Sequence, residues 1–234
     1  MAPSHPHPAR RRLITGAAVL AASAALTPLT ATAAAAPQRR PRGGGAYPHA
    51  QWIPASPSNY TVAHRPKQHP IEKVVVHVTQ ETYRDTLRLF RNPSHRASAH
   101  YVVRSADGHI AQCVRERDIA WHAGNWGYNT HSIGIEHEGW IDDPTWFTTS
   151  LYRRSARLTA AICDRYGIPK DREHIIGHIE VPGSTHTDPG EFWDWGRYLH
   201  LVRESSWQFE MDAELDAFDT PPASSTRERA GRRR

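Results

Sequence analysis

At 234 residues the chain has room for one medium domain with tails, and two full domains would be cramped. Hydrophobic residues make up 38% of it, with eight tryptophans, enough for a core; 18 prolines and a negative mean hydropathy place part of the chain outside that core. The net charge of +5 comes from the ends, where Arg10-Arg11-Arg12, Arg39-Arg40, Arg42, Arg227, Arg229 and Arg232-Arg233-Arg234 gather. The middle is nearly balanced and carries no nucleic-acid-binding motif, so no nucleic-acid partner is expected, although the tails suit an anionic polymer or surface.

The first element in chain order is a targeting signal. Arg10-Arg11-Arg12-Leu13-Ile14 precedes an alanine-rich stretch from Ala17 to Leu29, interrupted by Pro28. Ala31-Thr32-Ala33 then supplies the small residues a signal peptidase accepts. The run is too short and too weakly apolar for a membrane span, so no stable membrane insertion is expected. Residues 1–36 read as an export signal of the twin-arginine type, which makes the mature protein secreted and cell-wall associated. A disordered basic arm on a cytosolic protein is the competing reading. Residues 37–50 are rich in Pro, Arg and Gly and read as a linker. An oxidising exterior would permit a disulfide between Cys113 and Cys163, but two buried thiols fit the sequence equally well.

A domain follows over residues 51–210. The segment from Trp52 to Tyr60 is irregular and punctuated by aromatics, as in an arm laid across a surface. Val74 to Thr79 is a continuous apolar run, as a central strand covered on both faces requires. Thr82 is placed to cap a helix carrying Tyr83, Leu87 and Phe90 until Asn92-Pro93 stops it. His100 to Val103 and Ile110 to Val114 flank Ala106-Asp107-Gly108, a hairpin signal. In the strand from Ser132 to His137, alternation puts Ile133 and Ile135 on one face, Gly134 and Glu136 on the other. A long helix is predicted from about Thr149 to Tyr166, ended by Gly167 and Pro169. A short strand or its exit covers His174 to His178, and Trp195, Tyr198, Leu199 and Val202 mark a last amphipathic helix. From Asp219 onward Pro, Ser, Thr and Arg dominate, and residues 211–234 read as a disordered basic tail. Alternating strands and helices make the body a single α/β domain, with a central mixed β-sheet flanked by helices.

Chemistry concentrates at two places far apart in sequence. His77 closes the buried strand; Gly177-His178 and His186-Thr187-Asp188-Pro189-Gly190 lie a hundred residues downstream. Two imidazoles and a carboxylate suit Zn2+ with one position open to water, which makes a hydrolase the leading expectation. Residues two apart in an extended segment face the same side, so His186 and Asp188 could both reach one metal. Glu136 follows two apolar strand residues, where a carboxylate makes sense only facing a cleft. Glu138 competes on the same face, but Gly139 places it at the strand's exit.

These segments, together with His100-Tyr101-Val102-Val103, the Asp107-Gly108 turn and Ala120-Trp121-His122-Ala123-Gly124-Asn125, resemble the zinc-dependent N-acetylmuramoyl-L-alanine amidases of the type 2 family, relatives of the peptidoglycan recognition proteins. The resemblance runs from about Trp52 to Val202 and implies the peptidoglycan recognition protein-like amidase fold. It implies that His77, His178 and Asp188 ligate zinc and that Glu136 is the catalytic general base. Many relatives carry lysine where this chain has His186; the resemblance implies oxyanion stabilisation there, with a swap in which His186 binds metal left open. His122, Trp126 and Asn129 are candidate substrate contacts, and His95 and His200 read as surface residues. The implied substrate is peptidoglycan or a muropeptide, cleaved between N-acetylmuramic acid and L-alanine by a monomer. A non-catalytic muropeptide-binding protein and a zinc peptidase acting within the stem peptide are the alternatives. The lack of a His-Glu-x-x-His helix removes the commonest peptidase scaffold.

Overall fold

Six strands build the central sheet of the structure, a computed structural model that describes residues 47–205. In spatial order they are β1 (Ala50–Trp52), β5 (Ile110–Gln112), β4 (Tyr101–Val103), β7 (Ser132–His137), β3 (Lys73–Val78) and β8 (Ile175–Gly177). Strands β4, β7, β3 and β8 pair in parallel, while β4 and β5 form the expected antiparallel hairpin, so the sheet is mixed. The export signal expected over 1–36, most of the linker and the tail over 211–234 lie outside the described residues. At the linker's margin, Tyr47 is buried in the main core and Ala50 opens β1.

The sheet has two covered faces, and the alternation along β3 and β7 assigns their residues. Val74, Val76, Val78, Ile133 and Ile135 point into the larger core, against α3 (Thr149–Tyr166) and a last helix, α4, over residues 195–205. Each such fully buried aliphatic side chain contributes about 1.5–3 kcal/mol relative to an exposed one. Thr148 caps α3 by accepting from Leu151 N, and Gly167 ends it at φ 71°, a left-handed turn open to glycine at no steric cost. Tyr198 of α4 joins Ser155 and Thr159 of α3 at 2.8 and 2.7 Å, which satisfies its buried hydroxyl.

The opposite face carries Val75, Val102, Ala111 and Ile176 in two smaller clusters. It is covered by α1 (Tyr83–Arg91), capped by Thr82 as its sequence predicts, and by α2 (Trp126–His131). Cys113 lies in a cluster on this face and Cys163 in the core on the other, and both thiols are free and buried. Burial pushes each thiol up to about 12, as expected of inert core cysteines.

The irregular arm of the sequence reading carries more structure than expected. At its start Trp52 closes β1, parallel with β5, and at its end Tyr60 opens β2 (Tyr60–Thr61), which pairs antiparallel with β6 (Ile119–Ala120). Behind it, Arg65 is buried at 5% exposure and donates to the carbonyls of Glu116, Asp118, Asn129, Thr130 and Ser132. That one guanidinium ties the β6 approach, α2 and the start of β7 into a single wall. Among the described residues, no helix is long and apolar enough to cross a membrane.

Candidate metal centre and active site

The register of the parallel strands assembles the site. His77 on β3 pairs directly with Glu136 on β7, and Val76 pairs with Gly177 on β8, so His178 follows beside His77. All three sit at the carboxyl ends of parallel strands, where open α/β sheets place their ligand crevices. Asp188 arrives from the loop after β8 and is buried. Its Oδ2 lies 3.3 Å from His77 Nδ1 and its Oδ1 3.1 Å from His178 Nδ1. Val78 N also points at Oδ2, at 3.3 Å. The two imidazole rings meet edge to face, 4.4 Å between centroids.

One ligand atom from each of His77, His178 and Asp188 falls within 4.8 Å of the others, and all three residues are buried. The donor set and its burial fit a small divalent cation such as zinc. Two neighbouring atoms carry the same message: His178 Nε2 and Glu136 Oε2 are buried without a hydrogen-bond partner. A buried polar atom left so is unfavourable by about 1–3 kcal/mol unless something in the cleft satisfies it. Burial raises the Asp188 carboxyl, but the imidazoles of His178 and His77 beside it outweigh that and hold the group below the usual carboxylate range. Burial lowers His77, which keeps its ring neutral and able to ligate.

Glu136 has a different environment. Burial, and next the negative charge of Asp188, lift its carboxyl well above the ordinary range. A carboxyl so raised takes up a proton more readily than an ordinary carboxylate, as a general base requires. Glu138 is committed elsewhere: its oxygens accept from Tyr83 N and Ser105 N, both at 2.8 Å, pinning the start of α1 and the β4–β5 hairpin.

The cleft in front of these residues encloses about 480 Å³. His186 stands at its mouth with a side chain 65% exposed, its ring stacked on His178 at 4.4 Å and its Nδ1 3.8 Å from Asp188 Oδ1. It lies outside the three-residue cluster. His122 lines the cleft from within: its Nδ1 is 2.9 Å from His77 Nε2, and its Nε2 is 3.2 Å from Ser132 Oγ. Burial, then the neighbouring imidazoles and Arg65, hold His122 well below the ordinary histidine range.

Three sequence expectations change here. Asn129 lines the cleft, but its Oδ1 accepts from His122 N and Ala123 N, so its acceptor shapes the loop and is not free for substrate. Trp126, at the start of α2, is exposed and stands outside the cleft lining. His95, read as a surface residue, is half-buried and lines the cleft, as do Arg96 and Trp121. Arg65 and the Ser132 hydroxyl were missed. Ser132 shares a strand face with Gly134 and Glu136, so alternation carried a signal for it, whereas nothing local marked Arg65.

Comparison with known proteins agrees with this geometry. Residues 67–191 match the family model described as N-acetylmuramoyl-L-alanine amidase. N-acetylmuramoyl-L-alanine amidase A of Achromobacter lyticus is 36% identical over 168 residues, which cover 64% of this chain and 92% of that protein. The 1,6-anhydro-N-acetylmuramyl-L-alanine amidase AmpD of Citrobacter freundii is 39% identical over 117 residues, 47% of this chain and 60% of that relative. A crystal structure of a selenomethionine AmpD derivative superposes with a TM-score of 0.57 at 31% identity, covering 68% of this chain and 98% of that one. The chain belongs to the type 2 N-acetylmuramoyl-L-alanine amidase family, with that family's mixed-sheet fold and amidase activity.

Proposed function

We propose that this amidase is an exported, zinc-dependent enzyme that hydrolyses the amide between the lactyl group of N-acetylmuramic acid and L-alanine in peptidoglycan. The observation that carries this reading is the buried His77, His178 and Asp188 cluster with Glu136 in register beside it. His77 and His178 would hold the ion with Asp188. A bound zinc ion supplies Lewis acidity toward the scissile carbonyl and makes water more acidic.

The remaining work falls to the chain's own residues. Glu136 takes the proton from the attacking water as oxygen adds to the carbonyl carbon. It then delivers that proton to the alanine nitrogen as the carbon–nitrogen bond breaks, leaving a lactyl carboxylate and a free amine. Its raised carboxyl suits both halves of that transfer. His186, exposed at the mouth and close to Asp188, would donate an N–H to the oxyanion of the tetrahedral intermediate. The sequence of residues 1–36 supports export, and a peptidoglycan substrate outside the cell agrees with it.

Mass spectrometry of digested, purified cell wall tests the reading. Products ending in free lactyl carboxylates, with new L-alanine amino termini, are expected. Cleavage inside the stem peptide would replace it with a peptidase, and binding without any product would replace it with a receptor. Digestion of 1,6-anhydro-muropeptides alone, with intact wall untouched, would move the substrate to released fragments.

A further inference from the structure

His77 and His178 differ in what holds the ring nitrogen turned away from Asp188. His178 Nε2 is buried with no partner, whereas His77 Nε2 meets His122 Nδ1 at 2.9 Å. His122 in turn meets Ser132 Oγ through Nε2 at 3.2 Å, and Ser132 Oγ lies 2.6 Å from Tyr128 O. The direction of each bond follows from the far end. A carbonyl only accepts, so the single Ser132 hydroxyl proton goes to Tyr128 O. Ser132 Oγ therefore accepts from His122 Nε2–H. Among the described residues, the ring nitrogens of His122 meet only His77 and the Ser132 hydroxyl, with no carboxylate to hold a second proton, so Nδ1 offers a lone pair and His77 supplies the proton from Nε2. Its Nδ1, the atom facing Asp188 at 3.3 Å, is left with its lone pair.

A second, independent observation concerns Gly134. A Cβ built there would lie 2.5 Å from His122 Cγ and 2.6 Å from His122 Nδ1, closer than real contacts allow. The imidazole is packed flat against a strand position that only glycine leaves open. On one face of β7, Ser132, Gly134 and Glu136 thus supply in turn the relay's acceptor, the seat of the relay ring and the acid–base carboxylate.

We propose that His122, Ser132 and the cleared surface at Gly134 form a relay that fixes His77 as its Nε2–H tautomer, with Nδ1 presented for ligation. His122 and Ser132 are positioning residues acting through His77. The inference rests on the zinc reading above in its consequence for metal affinity, but the hydrogen-bond direction stands apart from it. Outer partners of ligating histidines of this kind change metal affinity by about 10- to 100-fold.

The test is zinc affinity of the full chain, measured by competition with a chromogenic chelator and paired with 15N NMR of the imidazole nitrogens. Ser132→Ala, Gly134→Ala and His122→Phe should each weaken zinc binding by about 10- to 100-fold. His122→Asn, which keeps an acceptor near the Nδ1 position, should recover most of that loss relative to His122→Phe. Wild-type affinity in Ser132→Ala and His122→Phe, with zinc still held by His77, would overturn the relay. The NMR spectrum of metal-free protein separates the two readings. A proton on His77 Nε2 bonded to His122 supports the relay whether or not zinc binds, and an unprotonated His77 Nε2 overturns it. Failure of the wild type to bind zinc at all would count against the metal reading alone.

Discussion

The two halves of the active site are built on different foundations. His77 and Glu136 sit on neighbouring central strands, paired in register, with His122 behind His77 and Arg65 bracing the wall beyond. His178, His186 and Asp188 come from the exit of the edge strand β8 and the loop after it, where His178 Nε2 has no partner and His186 is mostly exposed. Side chains on a packed sheet are held by their neighbours, while a loop keeps the freedom to close on a substrate. On the proposed reading, the strand half would supply precision at His77 and Glu136, and the loop half would add two buried ligands and, at its exposed His186, a contact with substrate.

Removing a ligand from either half is the bluntest way to test this. His77→Ala and Asp188→Ala are expected to abolish stoichiometric zinc binding, read by elemental analysis of purified protein, and His178→Ala to do the same. Retention of one zinc per chain in all three would break the account of both halves at once. Next in size is Glu136→Gln, which should keep metal and fold but lose about 10²- to 10⁴-fold in turnover, the range of general acid–base catalysis. A variant within a few-fold of wild type would sink the base assignment.

His186→Ala sharpens the contrast from the loop side. It should lower kcat by about 10²-fold, the low end for loss of an oxyanion donor, with zinc content unchanged. Loss of zinc instead would make His186 a ligand and Asp188 its orienting partner.

The smallest expected effect concerns acid and the strand half. His137 Nδ1 lies 2.7 Å from His77 O and its Nε2 2.6 Å from Ser155 Oγ. Burial holds its pKa at about 3 in the folded protein. The unfolded chain, near 6.5, binds the proton that the folded chain refuses, so stability falls as pH drops below about 6.5 and stops falling near 3. The slope from this one group is about 1.4 kcal/mol per pH unit within that window. Urea midpoints of wild type and His137→Gln at pH 7.5 and 5 check it, and equal pH dependence in both proteins would contradict it.

How much of this was legible in the chain depends on the length scale of each signal. The helices α1 and α3 announced themselves through caps and period, and β3 and β7 through apolar runs and alternation. Strands β1, β2 and β6 are only two or three residues long, too short for any period, so no strand was predicted at any of them. The resemblance to known amidases drew His77, His178, Asp188 and Glu136 together, and parallel pairing supplies the physical reason they meet. Arg65 depends on carbonyls dozens of residues away and His95 on the cleft it lines, so local pattern holds no trace of either role, while Asn129 is fixed by the fold of its own loop, accepting from His122 N and Ala123 N. Gly134 lies between the two extremes. Its place on the Glu136 face was readable, while its reason, the His122 ring seated on it, required the fold.

A metal held by both halves is expected to be essential for cleavage of the muramyl–alanine amide, a requirement open to direct measurement. Its most direct test follows the release of L-alanine amino termini from purified cell wall by protein stripped of metal and then reloaded with zinc. Activity should fall to background when elemental analysis shows no bound metal, and return with one zinc per chain. Undiminished release by metal-free protein would contradict the account.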